Sequence, residues 1–174
     1  MASYEFPAII LTGLGLSASI LYYSMTIQNQ SKTQKLQIIK EIWDWISDEE
    51  GYKKFIILMQ MTWTDYEDFQ HKYGSLTNPE AYAQRFSVWS KMNGLGYMVK
   101  EGAIDIESVY DHSAGRIMWM WDKFGSIIIR DREILSAGYL FKWWEYLAGE
   151  IRKEADKRAE LLNYPKTFST TPNQ

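Results

Sequence analysis

Four residues in one short stretch carry spacing that metal chemistry uses: Asp65, Glu67, Asp68 and His71. On a helix, Asp68 and His71 share a face at i,i+3, and Glu67 lies one turn from His71. Helical di-metal bundles use that carboxylate–imidazole pair, but they need it twice, with further carboxylates pointing inward. The other histidine, His112, follows Asp111 and has no carboxylate three or four residues before it. Glu41 and Asp44 could add ligands, yet Trp43 and Ile46 claim the buried face there. The same stretch also reads as a capping box, Thr64-Asp65-Tyr66-Glu67, which starts a helix rather than holding an ion. Capping is the preferred reading, and a metal-dependent helical enzyme is the alternative.

A second charged group, Arg130-Asp131-Arg132-Glu133, could clamp an anion, but its alternating signs favour an ion-pair cluster. No Gly-x-Ser-x-Gly turn is present, so no activated serine is expected. Gly94-x-Gly96 lacks the third glycine and the preceding strand of a nucleotide loop. With no cysteine there is no thiol nucleophile, disulfide or thiolate-bound zinc. Neither a catalytic residue nor a cofactor is therefore expected. A net charge of −3 gives no field for nucleic acid.

The elements that must position these residues are helical. Asp48 offers an N-cap, with Glu49 and Glu50 in the first turn. The helix from there towards Trp63 carries Phe55-Ile56-Ile57-Leu58-Met59, apolar nearly all round, and is expected at the centre of the core. Thr77-Asn78-Pro79-Glu80 starts a helix that should reach Glu101 and end on Gly102 in the left-handed region. Gly94 and Gly96 within it predict a close backbone neighbour. Asp105 caps the next helix, running towards Ile129 with a break expected around Ser113 to Gly115. Ser136 or Gly138 opens the last, from about Tyr139 to Leu162, where Glu154 and Arg158 pair at i,i+4. No strand pattern competes. Aromatic residues are abundant, with 8 Trp, 12 Tyr and 7 Phe, and Trp119, Trp121, Trp143 and Trp144 mark either a core or a surface for lipid headgroups or a partner.

Ahead of these helices lies Phe6 to Ser31, a stretch without a charged residue. Its apolar centre, Pro7 to Ile27, has the roughly 20 residues a bilayer crossing requires. The segment lacks the basic start of a signal peptide, and Ser17-Ala18-Ser19 falls mid-stretch, so a retained anchor is expected. Lys32, Lys35 and Lys40 follow it and no Lys or Arg precedes it. That asymmetry places the protein in the cell membrane as a single pass, with Met1 outside and the C-terminal domain cytoplasmic. Ala8, Thr12, Gly15 and Ser19 share a small-residue face, with Gly13 and Ser17 nearby, on which a partner transmembrane helix could pack. Leu36, Ile39, Ile42, Trp43 and Ile46 continue helical spacing beyond the anchor, which predicts a rigid joint.

The helix ending Val99-Lys100-Glu101-Gly102-Ala103-Ile104-Asp105, then Tyr110-Asp111, a Trp-rich stretch and Arg130, resembles an uncharacterised prokaryotic family. Members have one N-terminal transmembrane helix and a helical cytoplasmic domain. The resemblance spans about Leu11 to Leu161 in layout and implies architecture, with no activity attached. The expected fold is all-α: an anchor over 1–31, a bundle of about four or five helices over 32–163, and a polar tail over 164–174. The expected function is a non-enzymatic, membrane-anchored interaction module or accessory subunit, the alternatives being the metal enzyme and a membrane-tethered sensing module.

Overall fold

A computed structural model describes residues 48–162 throughout, together with residues 16, 19–30, 33, 34, 37, 40 and 44. Among these residues there is no strand, and the fold is all-α. The chain divides into two compact units, Met1–Ile42 and Trp43–Gln174.

In the first unit, residues 19–30 form a helix, α1, and residues 16, 33, 34, 37 and 40 are also helical. Leu16, Ile20, Leu21, Tyr22, Tyr23, Met25 and Ile27 are each at least 61% exposed. At 100° per residue these positions point in every direction, so this apolar surface has no inward stripe. The Thr26 hydroxyl donates to the Tyr22 carbonyl one turn back at 2.8 Å. Among the described residues no helix is long and apolar enough to cross a membrane. Most of the Pro7–Ile27 stretch, including Ala8, Thr12, Gly13, Gly15 and Ser17, lies outside them. So do Lys32, Lys35, the apolar positions Leu36 to Ile46 of the expected joint, and the 164–174 tail.

The second unit is built from α2 (Glu49–Gln60), α3 (Tyr66–Tyr73), α4 (Pro79–Lys100), α5 (Ile106–Leu135) and α6 (Lys142–Leu162). Its helix starts are local chemistry. Asp48, Asp65, Asn78 and Asp105 each place a side-chain oxygen on a first-turn amide. Gly102, at φ +67°, takes the left-handed conformation after α4. The core is formed by α4, α5 and α6. Gly96 is the closest point of approach, because a Cβ there would sit 1.9 Å from the Trp143 carbonyl oxygen. Three residues earlier on α4, Asn93 accepts a 3.0 Å hydrogen bond from the Trp143 amide and so caps the start of α6 from a neighbouring helix. Gly94, by contrast, faces open space.

Three expectations about elements are corrected. α2 is peripheral rather than central: Leu58 is its one buried residue, while Ile56 and Ile57 are 39% and 45% exposed. α5 runs unbroken for 30 residues, because Val109, Ser113, Ala114, Ile117 and Met118 are all buried on both sides of Gly115. That burial outweighs the roughly 1 kcal/mol a helical glycine costs. The last helix starts at Lys142, since Ser136 at φ 50° ends α5 and residues 137–141 form the turn. The expected Glu154–Arg158 pair is present at 2.7 Å. Lys157 joins it and reaches Glu107 at 3.3 Å, while Arg158 also grips Asp111, so both cations tie α6 to α5.

Candidate functional site

The Asp65 cluster is spent on folding α3. Asp65 Oδ1 accepts from the Asp68 amide at 2.8 Å, and Asp68 Oδ2 accepts from the Thr64 amide at 3.0 Å. The box is therefore shifted one residue from the expected Thr64–Glu67 register, as the stronger capping preference of Asp over Thr explains. Lys72 completes it with a 2.8 Å ion pair to Asp68 and holds that carboxyl below its ordinary range. Glu67 and His71 are exposed, and no cluster that could hold a metal occurs among the described residues. The stretch Asp65, Glu67, Asp68 and His71 thus starts a helix, as the preferred capping reading expects, with Asp65 and Asp68 in the box and Glu67 and His71 outside it.

The four tryptophans divide between the two readings, core and surface. Trp144 is fully buried and Trp121 is 7% exposed, packed edge to face at 5.4 Å between ring centroids. Both are core. Trp143 is half-buried and packs against Tyr97 at 5.7 Å. Trp119 alone of the four is open, 57% exposed, stacked on Phe55 at 6.5 Å. Of the Arg130–Glu133 run, Arg130 pairs with Glu133 at 2.8 Å and Arg132 with Glu145 at 2.5 Å, as the ion-pair reading expects. Asp131 turns elsewhere.

It turns into a cleft of about 220 Å³ between α3, α4, α5 and the turn before α6, lined by Tyr66, Gln70, Arg85, Trp89, Asp131 and Phe141 among others. Arg85 forms the floor at 1% exposure. Its guanidinium lies 4.4 Å from the Phe69 ring centroid, 4.7 Å from Trp89 and 5.1 Å from Tyr82. One nitrogen, Nη2, donates to the Tyr73 carbonyl at 3.3 Å, while Nε and Nη1 are buried without a partner among the described residues. Burial pushes its pKa down to about 10, so it stays charged at neutral pH. A depression of that size corresponds to roughly 3 kcal/mol of cost for the buried charge. Ring faces offset it by roughly 1–2 kcal/mol each when desolvated.

Asp131 stands at the side of the cleft. Its Oδ1 accepts from the Tyr66 hydroxyl at 2.6 Å and from Gln70 Nε2 at 3.0 Å, and no hydrogen bond reaches Oδ2 among the described residues. Burial nevertheless pushes its carboxyl above the ordinary range, against the Tyr66 bond and the charge of Arg85. The Tyr66 hydroxyl is pushed up to about 12, by burial first and then by its bond to Asp131. Phe141 closes the far wall at φ 50°, a conformation bulky residues rarely adopt, and meets Trp89 edge to face at 5.5 Å.

Comparison with protein-family models, with curated proteins and with solved structures finds no match to this chain.

No motif in the sequence marks Arg85; its signal is that it heads the otherwise apolar buried stripe Arg85, Val88, Trp89, Met92, Leu95 and Gly96 of α4. A lone cation at a core position of an otherwise apolar face is the feature that marks the site. Asp131, half-buried on α5, stands one turn beyond the buried Ile127 and Ile128 and two beyond Phe124.

Proposed function

We propose that this chain is a membrane-anchored helical interaction module without catalytic machinery, an accessory subunit of a membrane assembly. The observation that carries the reading is the apolar, uncharged and exposed surface of α1, continuous in sequence with the uncharged stretch back to Phe6. Exposed apolar residues with no charge among them are stable in lipid or within a larger core, and the apolar residues of 19–30 form no stripe turned inward. Lys32, Lys35 and Lys40 favour a cytoplasmic bundle. The small-residue face Ala8, Thr12, Gly15 and Ser19, with Gly13 and Ser17, is the part of the anchor offered to a partner helix. On the bundle, Trp119 with Phe55 and the 49% exposed Tyr52 is the open aromatic surface.

Alkaline carbonate extraction of membranes carrying the full chain tests the anchor. Retention in the pellet is expected, and release to the supernatant overturns it. Native mass measurement after detergent extraction tests the assembly, where a strictly monomeric particle overturns the subunit reading. A second reading, a membrane-tethered sensing module, is favoured by one observation: polar groups from α3, α4 and α5 converge on a single cleft.

A further inference from the structure

The charges of the cleft are arranged in a way that a purely structural core does not need. Arg85 carries a full positive charge on the floor, and among the described residues no carboxylate forms a direct ion pair with it. Asp131 carries the opposite charge on the wall with one oxygen uncommitted. Between and around them stand the rings of Tyr82, Phe86, Trp89 and Phe141. A lone anion entering here is attracted by Arg85 and repelled by Asp131, and a lone cation meets the reverse. Only a molecule bearing both charges is favoured twice. At about 220 Å³ the space falls below the roughly 300–1,000 Å³ of pockets for drug-sized ligands.

We infer that the cleft binds a small zwitterion of amino-acid size, its carboxylate taken by Arg85, its ammonium by Asp131 Oδ2, and its apolar body by the Trp89 and Phe141 rings. This deepens the sensing reading and is independent of the anchor, because every residue it uses lies in the second unit. Nε and Nη1 of Arg85 are out of reach of water. The ligand carboxylate therefore draws the guanidinium up from the floor, loosening its 4.7 Å contact with Trp89. That displacement supplies a signal, since indole emission responds to a neighbouring charge. It also supplies coupling, because the same guanidinium touches Phe69 on α3 and the Tyr73 carbonyl at its end.

The test is a tryptophan-fluorescence titration of the full chain in detergent micelles with three probes of one shape: L-phenylalanine, 3-phenylpropionate and phenethylamine. Saturable binding of phenylalanine is expected, roughly tenfold or more tighter than either singly charged probe. Arg85→Met should weaken phenylalanine and spare phenethylamine, and Asp131→Asn should weaken phenylalanine and spare 3-phenylpropionate. Near-UV circular dichroism confirms that each variant is folded, and should Arg85→Met fail to fold, Asp131→Asn decides alone. The inference is overturned by no saturable response to phenylalanine, by a singly charged probe that binds as tightly, or by folded variants that weaken all three probes equally. Carbonate extraction reports on the anchor and fluorescence on the cleft, so failure of one is distinguishable from failure of the other.

Discussion

The two sides of α3 hold polar residues under opposite conditions. On the outer side Asp65, Asp68 and Lys72 are exposed or half-exposed and satisfy one another and the backbone of Thr64. On the inner side Tyr66 and Gln70 commit themselves to one oxygen of Asp131, beside a buried cation with two idle donors. One side has spent its hydrogen-bonding capacity on starting a helix. The other retains capacity in a place where leaving it unused is expensive. The carboxylates whose spacing resembles a metal site, Asp65 and Asp68, therefore lie on the side of α3 already spent on the helix start. Surplus, rather than the density of ionisable groups, distinguishes a site from a scaffold.

The comparison can be broken in several places. The largest effect should come from Trp89→Ala, which empties the aromatic wall and should lower the unfolding free energy by about 3–5 kcal/mol in urea titration. A much smaller loss would mean the wall is loosely packed and the cleft poorly formed. Asp65→Ala should cost about 1 kcal/mol through the lost cap, readable as a shift in the same transition. A loss several times larger would show that the outer side does more than start a helix. Arg85→Met should leave stability within about 1 kcal/mol of the parent, since the relieved burial of charge offsets the lost ring contacts. A loss comparable to that of Trp89→Ala would make Arg85 a structural anchor instead of a retained charge. Lys72→Ala should be the mildest, a smaller shift in the same transition than Asp65→Ala gives, as an exposed pair contributes little.

The sign of the pH dependence sharpens the same contrast. Asp68 is held below its ordinary range mainly by its hydrogen bond to Lys72, so its contribution is present above that range and is lost as pH falls through the folded value. Asp131 is held above its ordinary range by burial, so its contribution is present below that range and is lost as pH rises through the folded value. Between pH 6 and pH 3, urea denaturation should show the parent gaining stability relative to Asp131→Asn and losing it relative to Asp68→Asn. The same sign for both variants would contradict the distinction between the two sides of α3.

Features that depend on neighbours in sequence were readable. Asp48, Asp105, Pro79 and Gly102 act within one turn of chain, and the structure uses each as expected. Gly96 was readable as a close approach, though nothing local says that Trp143 supplies the opposing carbonyl. The apolar run in α2 points to the core, yet α2 is peripheral, because hydropathy states that a surface avoids water but not which surface covers it. The break expected in α5 failed for a similar reason, as burial of Ser113 and Ala114 is a property of the assembled bundle. Arg85 and Asp131 are distant in sequence and line one cleft only when α4 and α5 assemble. The anchor is legible in sequence through charge and hydropathy, and most of it lies outside the described residues.

The seam between Gly96 and Trp143 has a consequence for how the bundle breathes. With the Trp143 amide bonded to Asn93 and its carbonyl within touching distance of Gly96, α4 and α6 separate only when that seam opens as a unit. Its amides should exchange with deuterium at the rate of global unfolding, and those of the eight-residue α3 far sooner. The cleft thus has a stiff back on α4 and a yielding front on α3, and traffic in and out of it would be timed by the shorter helix.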